Sequence, residues 1–84
     1  MVTEEDVVAK ISAEISIAEK DPNKGGEEAV RQAVEAVREN FKITCNYAYC
    51  GGFDSTGYDI DCYAIAFITD DGTLGIYYYQ YETY

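Results

Sequence analysis

The apolar residues of this chain change their spacing once, near Asn40, and that change limits the fold more than any other feature. Before it they recur every three or four residues, as on a helix with one buried face. After it they alternate, as on a half-buried strand. Helices followed by strands, with no return to helix, exclude the repeating β-α-β units of a parallel sheet and leave an α+β arrangement. A chain of 84 residues is one small domain that buries roughly 60–65% of its unfolded surface. Two thin layers fit within that limit; a buried catalytic cavity does not.

The first helix is expected over about residues 4–20. Thr3 can cap it, Glu4, Glu5 and Asp6 suit the positive end of its dipole, and Asp6 stands at the capping-box position. Val7 or Val8, Ile11, Ile15 and Ala18 form its stripe. Breakers follow in Asp21-Pro22-Asn23-Lys24-Gly25-Gly26. The second helix is expected over about 27–40, with Ala29, Val30, Ala33, Val34 and Val37 inward, Glu27 and Glu28 at its start and Arg38 near its end. Strands are expected over about 41–50, 58–69 and 73–83. A flexible glycine-rich connection (Gly51 to Gly57) joins the first two, and a hairpin at Asp71-Gly72 joins the last two. The expected fold is two helices packed on one face of a three-stranded antiparallel meander.

With Asp71 and Gly72 as a two-residue turn, Thr69 faces Leu74, Phe67 faces Ile76 and Ile65 faces Tyr78. With Cys50 opposite Tyr58, Cys45 faces Tyr63 and Ile43 faces Ile65. One sheet face then holds Phe41, Ile43, Cys45, Tyr63, Ile65, Phe67, Leu74, Ile76 and Tyr78, the surface the helices should cover. The other holds Ala48, Cys62, Ala64, Ala66 and a row of phenols, Tyr77, Tyr79 and Tyr81. A slip of one residue would mix the two sets.

On that register the open face is a shallow alanine floor beside a tyrosine wall. Tyrosine gives large contact area at low side-chain entropy, so Tyr77, Tyr79 and Tyr81 are the expected partner-binding residues. Asp59, Asp61 and Glu82 gather at one end of the sheet, and Asp70 and Asp71 at the hairpin; these acids are the expected charged contacts. The competing account of each is local: phenols at the rim of a packed core, and solvated carboxylates. The last strand also lacks the lysine or proline that usually blunts an edge, so it is open to pairing with a second copy or a target.

Charge limits the partner. Residues 1–42 carry 10 acids and 6 bases, a balance of −4; residues 43–84 carry 6 acids and no base, a balance of −6. A sum of −10 repels nucleic acid and anionic membrane and attracts basic protein surfaces, although acidity also serves solubility alone. No apolar run approaches the ~18 residues of a membrane span. Cys45, Cys50 and Cys62 are odd in number and follow no apolar leader, so reduced thiols in a cytoplasmic setting are expected, with no metal and no cofactor. The chain has no histidine, and neither a nucleophile motif nor a phosphate loop, so no enzyme activity is expected.

In size, in its charge of −10, in its order of helices and strands, and in its acid-and-tyrosine second half (Asp59, Asp61, Asp70, Asp71, Tyr77, Tyr79, Tyr81, Glu82), the chain resembles the small acidic inhibitors that phages encode against bacterial defence, the anti-CRISPR and anti-restriction proteins. The resemblance is one of class and rests on no aligned motif. It implies a non-enzymatic inhibitor that occupies the basic surface of a nucleic-acid-binding enzyme in the host cytoplasm. An immunity protein against a toxin nuclease and a self-associating module are the alternatives.

Overall fold

The computed structural model describes residues 1–21, 23, 25–55 and 57–83, the side chains of Asp54, Ser55, Tyr58 and Thr83 apart. Pro22 and Lys24 of the interhelical breakers, Thr56 of the glycine-rich connection and the terminal Tyr84 lie outside the described residues. The elements are α1 (Glu4–Glu19), α2 (Glu27–Phe41), β1 (Thr44–Ser55), β2 (Tyr58–Ile68) and β3 (Leu74–Thr83). The strands form one antiparallel sheet in the order β1-β2-β3, and the helices lie on one side of it. This is the expected α+β architecture.

Helix α1 begins with the capping box that its sequence predicts. The Asp6 N–H donates to the Thr3 hydroxyl (3.2 Å) and the Thr3 N–H to the Asp6 carboxylate (3.1 Å), which satisfies two amides that the first turn leaves without partners. Val7, Ile11, Ile15 and Ala18 are its buried residues, and Ala29, Val30, Ala33, Val34 and Val37 are those of α2. Their small size allows close packing of the two helices. The Gln32 amide of α2 donates to Glu14 of α1 at 3.3 Å and ties them at the surface, and Lys10, within α1, pairs with the same carboxylate. Helix α2 runs one residue past the expected end. Lys42 stops it in the left-handed region (φ 57°), and its N–H still donates to the Arg38 carbonyl at 3.1 Å. The Arg38 guanidinium then reaches forward to the Cys45 carbonyl (2.7 Å) and the Asn46 side chain, joining the helix end to β1.

Strand β1 departs from expectation at both ends. Phe41 and Ile43 precede it, although both still pack on the core. Gly51 and Gly52, expected in a loop, lie inside the strand, because an irregularity at Cys50 absorbs one extra residue: Tyr49 pairs with Tyr63 and Gly51 with Cys62. The β1–β2 register differs from the expected one by four residues, so Cys45 faces Phe67 and Tyr47 faces Ile65. Four is even, and Cys45 remains on the buried face.

The β2–β3 register differs by one, and one is odd. The turn is a three-residue loop, Asp70-Asp71-Gly72, closed by Thr69 N–H to Thr73 O (2.9 Å) and Gly72 N–H to Thr69 O (3.0 Å). Gly72 takes the left-handed conformation (φ 85°) that such a loop places on its third residue. Phe67 therefore pairs with Gly75, Ile65 with Tyr77 and Tyr63 with Tyr79. Leu74, Ile76 and Tyr78, expected in the core, are 63%, 50% and 70% exposed. Gly75, Tyr77, Tyr79 and Tyr81 take the core side.

The core is Phe67, Ile65, Tyr63 and Cys45 from β1 and β2, Tyr79 from β3, and the inward stripes of both helices. Phe67 lies across β3: a Cβ on Gly75 would stand 2.3 Å from its ring. Helix α2 spans the stretch from Gly26, near Tyr81, to Arg38, near Cys45. Its 15 residues cover about 22 Å, whereas the 12 residues of β1 cover about 40 Å. Beyond the Gly52–Asp61 pair the sheet thus continues past α2, with β3 still paired to β2 as far as Asp59–Thr83, along a molecule 44 Å in its longest dimension.

Candidate interaction surface

The expected tyrosine wall is interior. Tyr79 is 8% exposed, and Tyr77 and Tyr81 are half-buried against the core. The rings form a ladder across the buried side of the sheet, with centroids 5.4 Å apart for Tyr49–Tyr63, 6.4 Å for Tyr63–Tyr79 and 6.5 Å for Tyr79–Tyr81. Tilted and offset rings at these separations attract one another beyond their burial. Tyr81 lies on the interhelical loop, where a Cβ on Gly25 would meet its hydroxyl at 2.3 Å. The Tyr79 hydroxyl is buried without a hydrogen-bond partner, and burial, then the neighbouring Glu19 carboxylate, push its pKa up to about 12; the nearby Gly26 amide opposes this without making a regular hydrogen bond. A phenol in this state is a structural group. The partner contact expected of Tyr79 is unavailable because the three-residue loop turns it inward.

The five expected acids fall at two ends of the sheet. Asp59, Asp61 and Glu82 share one end, through the pairs Asp59–Thr83, Ile60–Glu82 and Asp61–Tyr81. Asp59 and Asp61 alternate with Ile60 along β2, so they lie on the helix side and Glu82 on the open side. Asp61 accepts the Tyr49 hydroxyl at 2.9 Å, which raises the Tyr49 pKa, and Asp59 and Glu82 are exposed. Asp70 and Asp71 stand about 30 Å away at the hairpin. Asp70 accepts the Val2 N–H (2.9 Å). Asp71 accepts the Thr69 hydroxyl and the Thr73 N–H (3.0 Å), and these bonds, the hydroxyl first, hold its carboxyl below the usual range. Asp71 therefore builds the turn it sits in.

The side of the sheet without helices carries three cross-strand rows: Thr44–Ile68–Leu74, Asn46–Ala66–Ile76 and Ala48–Ala64–Tyr78. None of these nine residues is charged. Ile68 is 43% exposed, which adds to the three exposed residues of β3. Ile68, Leu74, Ile76 and Tyr78 form an exposed apolar patch with acids at both ends of the sheet, which makes this side the candidate interface. Sequence reasoning placed Leu74, Ile76 and Tyr78 on the wrong side. The available signal was Gly75, which leaves a gap that only a large cross-strand neighbour such as Phe67 fills from the core side.

A shallow open depression on α1 is lined by Glu4, Glu5, Val8, Ala9 and Ser12. Among the described residues no cluster of three His, Cys, Asp or Glu could hold a metal. Cys45 is buried, which raises its pKa, Cys62 is half-buried and Cys50 is exposed. No helix is long and apolar enough to cross a membrane. No protein-family model matches the chain, and no curated protein or solved structure is significantly similar to it.

Proposed function

We propose that this chain is a non-enzymatic binding protein that docks through its open sheet face on a basic protein surface and blocks a nucleic-acid-binding enzyme. One observation carries the proposal: the uncharged face of Leu74, Ile76 and Tyr78 lies between two acidic ends in a chain of net charge −10. The apolar centre supplies contact area and the carboxylates steer the encounter, a division of labour common to protein interfaces. Relative to the expectation from sequence, the apolar contact moves from Tyr77, Tyr79 and Tyr81 to Leu74, Ile76 and Tyr78, while the acids keep their part. The same surface suits an immunity protein against a basic nuclease, whose chemistry at the interface is identical.

The test is capture from the host, read by mass spectrometry, with wild type, Ile76→Glu and the pair Asp70→Asn, Asp59→Asn. A basic nucleic-acid-binding protein retained by wild type, lost with Ile76→Glu, bound more slowly by the acid-neutralised pair and released by added nucleic acid is the expected result. A prey retained equally by Ile76→Glu, or one that keeps its nucleic acid while bound, refutes the proposal.

A further inference from the structure

We propose that Cys50 and Cys62 form a redox-reactive pair, a site at which a small-molecule disulfide oxidises both thiols and leaves a cross-strand Cys50–Cys62 bond. The inference is independent of the role given to the open face.

The β1–β2 ladder brings the two residues together. Tyr49 pairs with Tyr63 and Gly51 with Cys62, so Cys50 is the extra residue of the bulge. At a bulge two residues of one strand oppose one of the other, and here Cys50 and Gly51 oppose Cys62. Opposed residues of an antiparallel pair have Cα atoms about 4.5–5.5 Å apart, inside the roughly 4.4–6.8 Å that a disulfide spans.

Both thiols lie on the open side. Tyr49 and Tyr63 point to the helix side, where their rings meet. Cys50 follows the first and Cys62 precedes the second, so strand alternation sends both the other way. The carbonyls of β1 fix the direction within that side. That of Cys45 points away from β2, to the Arg38 guanidinium. Successive carbonyls of a strand alternate, so that of Ala48 points to β2. The Cys50 thiol donates to the Ala48 carbonyl at 3.8 Å, and thus leans towards β2 and not towards the free edge.

Access sets the order of events. Cys50 is exposed and Cys62 half-buried, so a reagent in water meets Cys50 first. Cys45 takes no part. It is buried among the inward residues of the helices, and from there to Cys50 the strand runs about 17 Å to the opposite face. The Cys50 thiolate attacks one sulfur of the reagent, forming a mixed disulfide and releasing one thiolate, which takes up the proton that Cys50 lost. The Cys62 thiolate then attacks the Cys50 sulfur, closes the bond and expels the second thiolate, which takes up the proton of Cys62. Two protein thiols are oxidised by two electrons, and one reagent disulfide is reduced to two thiols.

The test is oxidation of the native full chain by excess 2-hydroxyethyl disulfide. This neutral reagent escapes the repulsion that a charge of −10 exerts on an anionic one. Remaining thiols are alkylated in denaturant, and chymotryptic peptides are read by mass spectrometry. The expected product carries the Cys50–Cys62 bond and an alkylated Cys45. It exceeds all other products roughly tenfold or more, because the second step is intramolecular. The excess is lost when the same oxidation is run on the chain unfolded in urea. Cys62→Ser should stop the reaction at a mixed disulfide on Cys50, and Cys50→Ser should leave Cys62 largely unreacted. Both positions lie outside the core cluster, and thermal melts check that the variants fold; the native and unfolded wild type decide the matter without them. A native chain that does not react overturns the proposal. So does a stable mixed disulfide on Cys50 beside a free Cys62, a bond that uses Cys45, or one product ratio in native and unfolded chains.

Discussion

Gly75→Ala should destabilise the fold through a single clash. The new methyl would stand 2.3 Å from Cζ and 2.5 Å from Cε2 of Phe67, closer than real Cβ contacts, and Phe67 is 1% exposed and hemmed in by the helices. Overpacking of this kind costs ~1–3 kcal/mol. Gly75 has no positive φ, so alanine meets no backbone strain and recovers ~0.4–1 kcal/mol by restricting the unfolded chain. The difference is a loss of roughly 1–2 kcal/mol, or a fall in Tm of roughly 4–15 °C in a domain of this size. Phe67→Leu alone should also destabilise, by less than the ~3–5 kcal/mol of truncation to alanine. Combined, the two should lose less than their sum, by ~0.5 kcal/mol or more, because the shorter side chain vacates the space the methyl needs. Thermal and urea melts of the four proteins close the cycle. A Gly75→Ala protein that melts at or above wild type, or penalties that simply add, would place Gly75 on the open face and refute the register.

Tyr79→Phe should stabilise by ~1 kcal/mol at neutral pH, since it removes a buried hydroxyl that has no partner. The same residue sets an alkaline limit. Its folded pKa of about 12 exceeds the ordinary value of 10, so its contribution is complete below about pH 10 and is lost as pH rises towards 12. Wild-type Tm should fall more steeply than that of Tyr79→Phe across this window, and parallel curves would contradict the assignment. Ile65→Ala should cost ~2–5 kcal/mol, whereas Ile76→Ser should stay within about 0.5 kcal/mol, and equal losses in chemical denaturation would show that the faces are reversed. Thr3→Ala should cost ~0.5–2 kcal/mol through loss of the cap, checked by melting at neutral pH.

The buried sides of the helices were legible, apart from the choice between Val7 and Val8, because their stripes contrast with charged outer faces. Val7, Ile11 and Ile15 alternate with Glu4, Lys10 and Glu14, and only one orientation buries the first set. Strand β3 offers no such contrast. Leu74, Ile76 and Tyr78 form one alternating set and Gly75, Tyr77, Tyr79 and Tyr81 the other, and both are apolar. Its orientation is decided by loop length, and Asp70-Asp71-Gly72-Thr73 fits a two-residue turn around Asp71-Gly72 as readily as the three-residue loop that forms. In β1 the misread element was the glycine pair. Gly51 and Gly52 signal an interruption, and the interruption is a bulge inside a strand, which local composition does not distinguish from a loop. The acids at Asp59, Asp61, Asp70 and Asp71 were placed correctly at the strand ends because hairpin geometry fixes ends more firmly than faces.

The finite length of the helices has a consequence in time. Amides at Ile65 and Phe67, whose side chains are buried under the helix layer, should exchange with solvent hydrogen only when the whole domain opens. Past the Gly52–Asp61 pair the sheet is still three-stranded, since Ile60 pairs with Phe53 and Glu82 and Asp59 with Asp54 and Thr83, but it is nearing its end. Sheet ends open at a lower free energy than sheet centres. The two halves of β2 thus keep different clocks, the end at Asp59 opening more often than the segment of Tyr63, Ile65 and Phe67 behind it.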